Sequence, residues 1–301
     1  MWPIRSMLFI PAHKTDWVHR VDRFKPDAVV LDLEDAVPRD LKIAARPLCR
    51  EAIGVLKQKG ITAFVRINGW EEGGRDDVLA VAAAGFNGVM LPKARDVDQI
   101  RELDIALAYV EGREGLPLGS IAIMPLPETA EGLADARHLI AASRRCCTLA
   151  ALVGGAVEGD VARAVGFRPT LEGVEQLYLA SKMVLDARAG GARWPMASII
   201  GTALDDLGAV RMLIERAKAL GYTGAILIHP THVAVANELF APTPEEVEYY
   251  AGLVEAMNEA EARGDAAVRY RGIMVDYAML PRAHDVLREA ERFGIQRPGA
   301  R

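Results

Sequence analysis

Along the first 230 or so residues, short apolar runs alternate with longer stretches that are apolar on one face only. The runs SMLFIPA (6–12), AVVLDLE (28–34), AFVRING (63–69), GVMLPK (88–93), IAIMPLPE (121–128), LAALVGG (149–155), ASIIGTA (197–203) and GAILIHP (224–230) predict strands. Between them, LKIAARPLCREAIGVLKQKG and LGAVRMLIERAKALG repeat apolar positions at helical spacing and stop at Gly60 and Gly221. Eight strands alternating with helices over about 230 residues predict an α/β fold, a (β/α)8 TIM barrel, which typically takes ~250 residues. An open doubly wound sheet is the rival. No glycine-rich fingerprint follows the first strand, which counts against it. The rhythm ends near residue 240. TPEEVEYYAGLVEAMNEAEARG (243–264) predicts a long helix with Thr243 as its N-cap, and a last helix begins near Pro281. The expected organisation is a barrel domain over 1–240 and a helical C-terminal extension over 241–301.

The second strand raises a chemical question. Val29, Val30 and Leu31 run straight into Asp32, Glu34 and Asp35. A buried carboxylate is unfavourable unless it is paired, hydrogen-bonded or bound to a metal. Barrels of this kind carry their chemistry at the carboxyl ends of the strands. Polar residues collect at several of those ends: Arg66 and Asn68 after the third strand, Lys93 after the fourth, Glu128 and Thr129 after the fifth. Glu158 and Asp160 follow the sixth, and His229 the eighth. Each has a plainer reading. Asp160 alone reads equally well as a helix N-cap, Arg66 as a structural ion-pair partner, His229 as a packed residue, and the glycines of GGAVEGD as a tight turn. Together, two carboxylates from adjacent strands and an arginine make a sensible pocket for Mg²⁺ and an anionic oxygen substrate. Histidine and cysteine do not cluster, which argues against zinc.

Composition narrows the classes. Hydrophobic content of 51% and charged content of 26% are ordinary for a soluble globular chain. A net charge of −5 without a basic run speaks against a nucleic-acid partner. The apolar stretches are short, so no membrane span is expected. MWPIRSMLFIPAHK enters a strand pattern at once and does not read as a signal peptide. The three cysteines, Cys49, Cys146 and Cys147, show no metal-ligand spacing and suit a reducing cytoplasm.

In their order, RSMLFIPA, DAVVLDLEDAVPRDLKIAAR, VRING, GVMLPKA, PLPETAEGL, GDVARAVG, GYTGAILIHPTHV and GIMVD resemble the citrate lyase β-subunit-like proteins. These belong to the HpcH/HpaI aldolase/citrate lyase family of Mg²⁺-dependent enzymes, with malyl-CoA and citramalyl-CoA lyases and the class II pyruvate aldolases. The likeness spans nearly the whole chain. It implies that Glu128 and Asp160 are the metal carboxylates. It also implies that Arg66 holds substrate oxygens and stabilises enolate charge, and that the acids of LEDAV lie at the edge of the active site and order the metal's waters, Asp35 as a catalytic residue and Glu34 as a substrate-binding one. Asp35 stands where the pyruvate aldolases carry histidine, which favours acyl-thioesters over free acids. Asp276 matches a tail aspartate that reaches a neighbouring subunit's site in malyl-CoA lyase-like relatives, and it is the favoured general base.

The chemistry so implied is reversible cleavage of a 3-hydroxy-acyl-CoA such as citramalyl-, malyl- or citryl-CoA into a 2-oxo acid and acetyl-CoA. Alternatives are a metal-dependent aldolase on free 2-oxo acids and a non-catalytic, partnered lyase subunit. Arg5, Lys14 and Lys42 stand near the first two strands as candidates for the phosphate-rich CoA handle. The family's tail implies a homo-oligomer, a trimer or a hexamer. Some positions depart from the family: Ala12 replaces a common glycine, GGAVEGD is longer than the usual turn, and Ala225 and His232 replace the usual lysine and glutamine. The longer turn leaves Glu158 and Asp160 competing. Asp160 is preferred because DVARAVG keeps the downstream spacing.

Overall fold

The computed structural model describes residues 1–298. Eight parallel strands form one sheet in the order β5-β4-β3-β2-β1-β8-β7-β6. They are β1 (Ser6–Pro11), β2 (Ala28–Asp32), β3 (Thr62–Arg66), β4 (Phe86–Leu91), β5 (Ala122–Pro125), β6 (Thr148–Leu152), β7 (Trp194–Ile199) and β8 (Gly224–Leu227). Helices α1 (Thr15–Arg20), α2 (Lys42–Gln58), α3 (Gly74–Val81), α4 (Val97–Glu114), α5 (Ala130–Ala134), α6 (Ala136–Ala141), α7 (Asp160–Val165), α8 (Leu177–Gly190), α9 (Leu207–Leu220) and α10 (His232–Phe240) follow the strands in turn. The result is a nearly closed (β/α)8 barrel, as the alternation predicts.

Closure is incomplete at one seam. Among the described residues, β1 pairs with both β2 and β8, whereas β5 and β6 share no ladder. A buried clasp ties the amino end of that seam. Arg145 donates to Glu111 through Nη1 at 2.6 Å and Nη2 at 2.7 Å, and to the Ile121 carbonyl at 3.0 Å. Glu111 accepts the Ile121 and Gly119 N–H groups at 2.8 Å each, and Ile123 N–H donates to the Arg145 carbonyl at 3.0 Å. Glu111 is fully buried, so the two-pronged arginine is what compensates its charge. Its carboxyl is held below the ordinary glutamate range: burial works to raise it, and the Arg145 hydrogen bonds with the two N–H donors outweigh burial.

Side chains alternate about each strand, so one set fills the barrel. Met7, Ala28, Val30, Phe64, Met90, Ala122, Met124, Ala150, Met196 and Ile226 form that plug. The same period carries the inward positions to the carboxyl ends of the strands. Two residues beyond Val30 comes Asp32, and two beyond Phe64 comes Arg66. The β2–β3 register sets Asp32 directly beside Arg66.

β7 begins at Trp194, three residues earlier than the sequence pattern places it. Its second residue, Pro195, lacks the N–H of a ladder donor and so hides the strand from a propensity reading. All eight strands overlap their predicted segments, β7 only over 197–199.

Residues Leu239–Arg301 form a second compact unit, distinct from Met1–Glu238. Its long helix α11 (Pro244–Ala262) opens with a complete capping box: Thr243 Oγ1 accepts from Glu246 N–H, and the Glu246 side chain accepts from Thr243 N–H. The segment after it is a hairpin, β9 (Ala267–Tyr270) and β10 (Ile273–Asp276), which the sequence reading leaves unassigned. Its two-residue turn places both Arg271 and Gly272 at positive φ, 44° and 90°, as the twist of a tight hairpin requires. The hairpin and the last helix, α12 (Leu280–Phe293), pack on α11 through Leu253, Met257, Val275 and Ala283. The apolar face of α11 therefore finds much of its cover within its own unit.

Candidate active site

A cleft of about 310 Å³ opens at the carboxyl ends of the barrel strands. Phe9 and Pro11 of β1, Asp32 of β2, Arg66 of β3 and Met90 of β4 line one side. Leu126, Glu128, Leu152, Asp160, Ser198, Ile226 and Ile228 continue the wall round β5 to β8.

Arg66 is the hub. Its Nε donates to Asp32 Oδ1 at 2.8 Å and its Nη2 to Oδ2 at 2.6 Å, a two-pronged pair. Nη1 lies 3.0 Å from Glu34 Oε2, and the guanidinium stacks 4.8 Å from the centre of the Phe9 ring. Burial opposes its charge, but Asp32, Glu34 and Glu128 outweigh burial and raise its pKa above the usual arginine value. Asp32 is itself buried and also accepts Glu34 N–H at 2.9 Å and Ala36 N–H at 3.1 Å. Its carboxylate is thus spent on shaping the loop after β2 and on aiming Arg66.

Glu34 is buried beside this pair and accepts from Lys93 Nζ at 2.7 Å. Burial raises its pKa, and Arg66 and Lys93 offset only part of that rise. Lys93 sits in the left-handed region, φ 49°, directly after β4. That backbone lets its N–H donate to Glu128 Oε2 at 3.2 Å while its Nζ reaches Glu34 and comes within 3.9 Å of Asp160. Burial works against the ammonium, yet the Glu34 hydrogen bond leaves its pKa raised. Glu128 is the most perturbed carboxyl of the group, pushed up to about 7 by burial and then by the Glu34 charge, with Asp160 adding to it and Arg66 opposing.

Asp160 is the first residue of α7 and pairs with Arg163 one turn on. The loop before it depends on Gly155, at φ 108°, where a Cβ would lie 2.0 Å from the Ile200 carbonyl. Ala156 N–H donates to the Gly201 carbonyl at 3.0 Å, which locks the loop to β7. Asp160 lines the cleft; the competing Glu158 is exposed and does not.

Several predicted site residues lie elsewhere. Arg5 stands before β1, at the amino end of the barrel, with Nε 3.0 Å and Nη2 2.8 Å from the Asp27 carboxylate. It anchors the start of β1 to the start of β2 and is remote from the cleft mouth, because a residue preceding a strand lies at the end opposite one following it. Asp35 is exposed and outside the cleft lining: the turn after Asp32 sends Glu34 inward and Asp35 to solvent. Lys14 is exposed just beyond β1. Asn68 is buried and tied to Asp77 at 2.7 Å, and Lys42 donates to its carbonyl oxygen. His229 is half-free, with Nδ1 2.7 Å from Thr231 Oγ1. Asp276 ends β10 in the second unit, where its carboxylate accepts Ala278 N–H at 2.9 Å.

The sequence reading missed Phe9, Trp17 and Ser198. Phe9 and Ser198 carry the inward parity of β1 and β7 that would have revealed them; the misplaced start of β7 concealed Ser198. Trp17 gives no such signal.

Among the described residues, no three acidic, histidine or cysteine side chains converge into a ready metal cage. A hard ion such as Mg²⁺ does not need one, since it commonly takes one or two carboxylates and completes its shell with water and substrate. Glu128 and Asp160 fit that donor set. Burial first, and then the Glu34 and Asp160 charges, disfavour the charged form of Glu128, and a cation held beside it would offset both.

The chain is 34% identical over 290 residues to a citrate lyase subunit beta-like protein of Deinococcus radiodurans, spanning 94% of this chain and 96% of that one. It is 30% identical over 290 residues to a (3S)-malyl-CoA thioesterase of Cereibacter sphaeroides, spanning 96% and 95%. Its fold matches the CitE protein of Mycobacterium tuberculosis, solved in complex with magnesium, acetoacetate and coenzyme A, with a TM-score of 0.70 at 24% identity over 95% of this chain and 97% of that one. No helix among the described residues is long and apolar enough to cross a membrane. Residues 5–230 match the HpcH/HpaI aldolase/citrate lyase family, and the chain belongs to that family as an enzyme of the carbon–carbon lyase type.

Proposed function

We propose that the protein catalyses the reversible, Mg²⁺-dependent cleavage of a 3-hydroxy-acyl-CoA into a 2-oxo acid and acetyl-CoA. The observation that carries this reading is the meeting of Glu128, Asp160 and Arg66 on one cleft at the strand ends. The malyl-CoA thioesterase relative and the coenzyme A and magnesium bound to the mycobacterial protein support an acyl-CoA and a divalent ion over a free-acid aldolase.

In this reading Glu128 and Asp160 hold the ion. The chemistry it supplies when bound is Lewis-acid polarisation of the oxygen on the carbon next to the acid's carboxylate. Arg66 has five N–H donors, of which two go to Asp32 and one faces Glu34. The remaining two serve substrate oxygens and the enolate oxygen as its charge develops. Asp32 fixes the plane of the guanidinium while it shapes the loop after β2. Lys93 holds Glu34 in place and presents its N–H to Glu128, which fixes that carboxylate's orientation.

In cleavage, a base takes the proton of the 3-hydroxyl, the carbon–carbon bond breaks as the carbonyl forms, and the bond's electrons pass into the thioester enolate. The enolate carbon then takes up a proton to become the acetyl methyl. Asp276, borrowed from a neighbouring chain of a trimer or pair of trimers, is the proposed proton carrier. Ile273, Met274, Tyr277 and Met279 flank it and are exposed, Met274 by 73%, as expected of a segment meant to be covered by another subunit.

The test is a panel of malyl-, citramalyl- and citryl-CoA with Mg²⁺, assayed for acetyl-CoA and 2-oxo acid. Release of both products with one thioester, abolished by EDTA, is the expected outcome. Cleavage that persists in EDTA, or turnover of free hydroxy-oxo acids alone, overturns the reading. Release of free CoA without carbon–carbon cleavage would assign the thioesterase activity of the Cereibacter relative instead.

A further inference from the structure

Asp32, Arg66 and Glu128 line the cleft from β2, β3 and β5, and Asp160 from the start of α7 after β6. The remaining lining from β6, β7 and β8 and the segments after them includes Leu152, Val157, Ile200, Ile226 and Ile228, with Ser198 the polar side chain on those strands. Among the described residues, Arg66 is the one cation that lines the cleft, and Asp32 and Glu34 already engage it. Lys93, beside it, is held by Glu34 and lies near Asp160. These side chains offer hydrocarbon, and Arg66 and Lys93 are held by the protein's own acids.

Resting on the lyase reading above, we infer that the 2-oxo acid released or consumed here has one carboxylate and a small alkyl substituent, in the class of pyruvate and 2-oxobutyrate, rather than a second carboxylate as in oxaloacetate. One carboxylate is provided for by the ion held on Glu128 and Asp160 together with the spare donors of Arg66. The substituent on the far side of the carbonyl meets the aliphatic wall. A methyl or ethyl group gains from leaving water there. A carboxymethyl group would bury a charge against leucine, valine and isoleucine, where among the described residues no lining cation other than Arg66 stands to pair it, which is strongly unfavourable. Glyoxylate, with hydrogen as its substituent, leaves the wall unfilled. A methylene in an apolar pocket is typically worth roughly 10-fold or more in discrimination.

The experiment compares kcat/KM for carbon–carbon bond formation between acetyl-CoA and glyoxylate, pyruvate, 2-oxobutyrate or oxaloacetate at fixed Mg²⁺. Pyruvate or 2-oxobutyrate is expected to exceed oxaloacetate by at least tenfold, and glyoxylate by less. Oxaloacetate equal to or better than both overturns the inference. In parallel, quenching of tryptophan fluorescence, with Trp17 on the cleft wall, ranks binding of the same acids with Mg²⁺ and no thioester. If no acid reacts with acetyl-CoA yet the alkyl acids bind more tightly than oxaloacetate, the substrate class holds and the acyl-CoA reading fails. If binding shows no such order, the inference fails as well. Ile228→Lys places a cation at the half-open rim of the wall, where the native side chain is 44% exposed. It should shift the pyruvate-to-oxaloacetate ratio toward oxaloacetate by about tenfold, and an unchanged ratio in a folded variant counts against the wall as the selector.

Discussion

Arg66 and Asp32 illustrate how one register decides a site. Because β2 and β3 pair Asp32 with Arg66, the guanidinium is aimed before any substrate arrives. Lysine at position 66 would keep the charge and lose the two-pronged geometry. Arg66→Lys should therefore lose about 2–4 kcal/mol of transition-state stabilisation, the range for a lost oxyanion donor, measured as a fall in kcat with the fold intact by circular dichroism. A variant with near-native kcat would remove Arg66 from the mechanism. Glu128 gives a pH signature in the metal-free protein. Its folded pKa of about 7 lies above the ordinary value of 4.5, so between those values the folded state binds the proton that the unfolded state has released. Stability contributed at this site is present at low pH and lost as pH rises through about 7. With chelator present, the stability difference between wild type and Glu128→Gln should grow in the variant's favour from pH 5 to pH 8, by chemical denaturation. A pH-independent difference would mean that the carboxyl ionises freely. Much of this neighbourhood was legible in the sequence, because acids directly after an apolar run must face something polar. What was not legible is which acid turns inward. Asp32, Glu34 and Asp35 look alike as letters, and only the turn built on Asp32's two accepted N–H groups separates the buried pair from the exposed third.

Elements were legible where burial wrote their period. Seven strands and the long helices follow from apolar runs and from caps such as Thr243. β7 slipped because Pro195 interrupts the pattern, and the hairpin of β9 and β10 passed unnoticed because only Val275 of its strands is fully buried. Arg5 was misassigned for a different reason: it precedes a strand that begins at Ser6, so it lies at the amino end, opposite the carboxyl ends that carry the chemistry. The clasp was invisible, since Arg145 comes from the turn before β6 and its acceptors from α4: Glu111, 34 residues away, and Asp104, 41 residues away, which accepts from Arg145 Nε at 2.5 Å. Arg145→Ala should destabilise the protein by about 3–5 kcal/mol, because it leaves the fully buried Glu111 without its counter-charge. Urea unfolding measures this. A loss under about 1 kcal/mol would show that water or rearrangement compensates Glu111.

At the scale of the whole molecule, the proposed loan of Asp276 between chains makes activity a property of the assembly. Mixing Asp276→Ala chains with Arg66→Ala chains under subunit exchange should restore part of the activity that each pool lacks, since one intact barrel can then meet one intact tail. If mixtures recover nothing beyond the parents, the tail either serves its own chain or takes no part. The unlaced seam between β5 and β6 carries a mechanical consequence of its own. The barrel behaves as a split ring, buckled at its amino end by Arg145 and Glu111. At the other end it carries two carboxylates, Glu128 following β5 and Asp160 following β6, on opposite lips of the split. Without an ion, the charge on Asp160 disfavours charge on Glu128 across the split. A divalent ion held by both would act as a second buckle, so that loading the cofactor and tightening the hoop are one event. Amide exchange in β5, β6 and the loops after them should slow on adding Mg²⁺, while β2 and β3 on the laced side stay as they were. Uniform slowing, or none, would mean that the ring is already fastened without the ion.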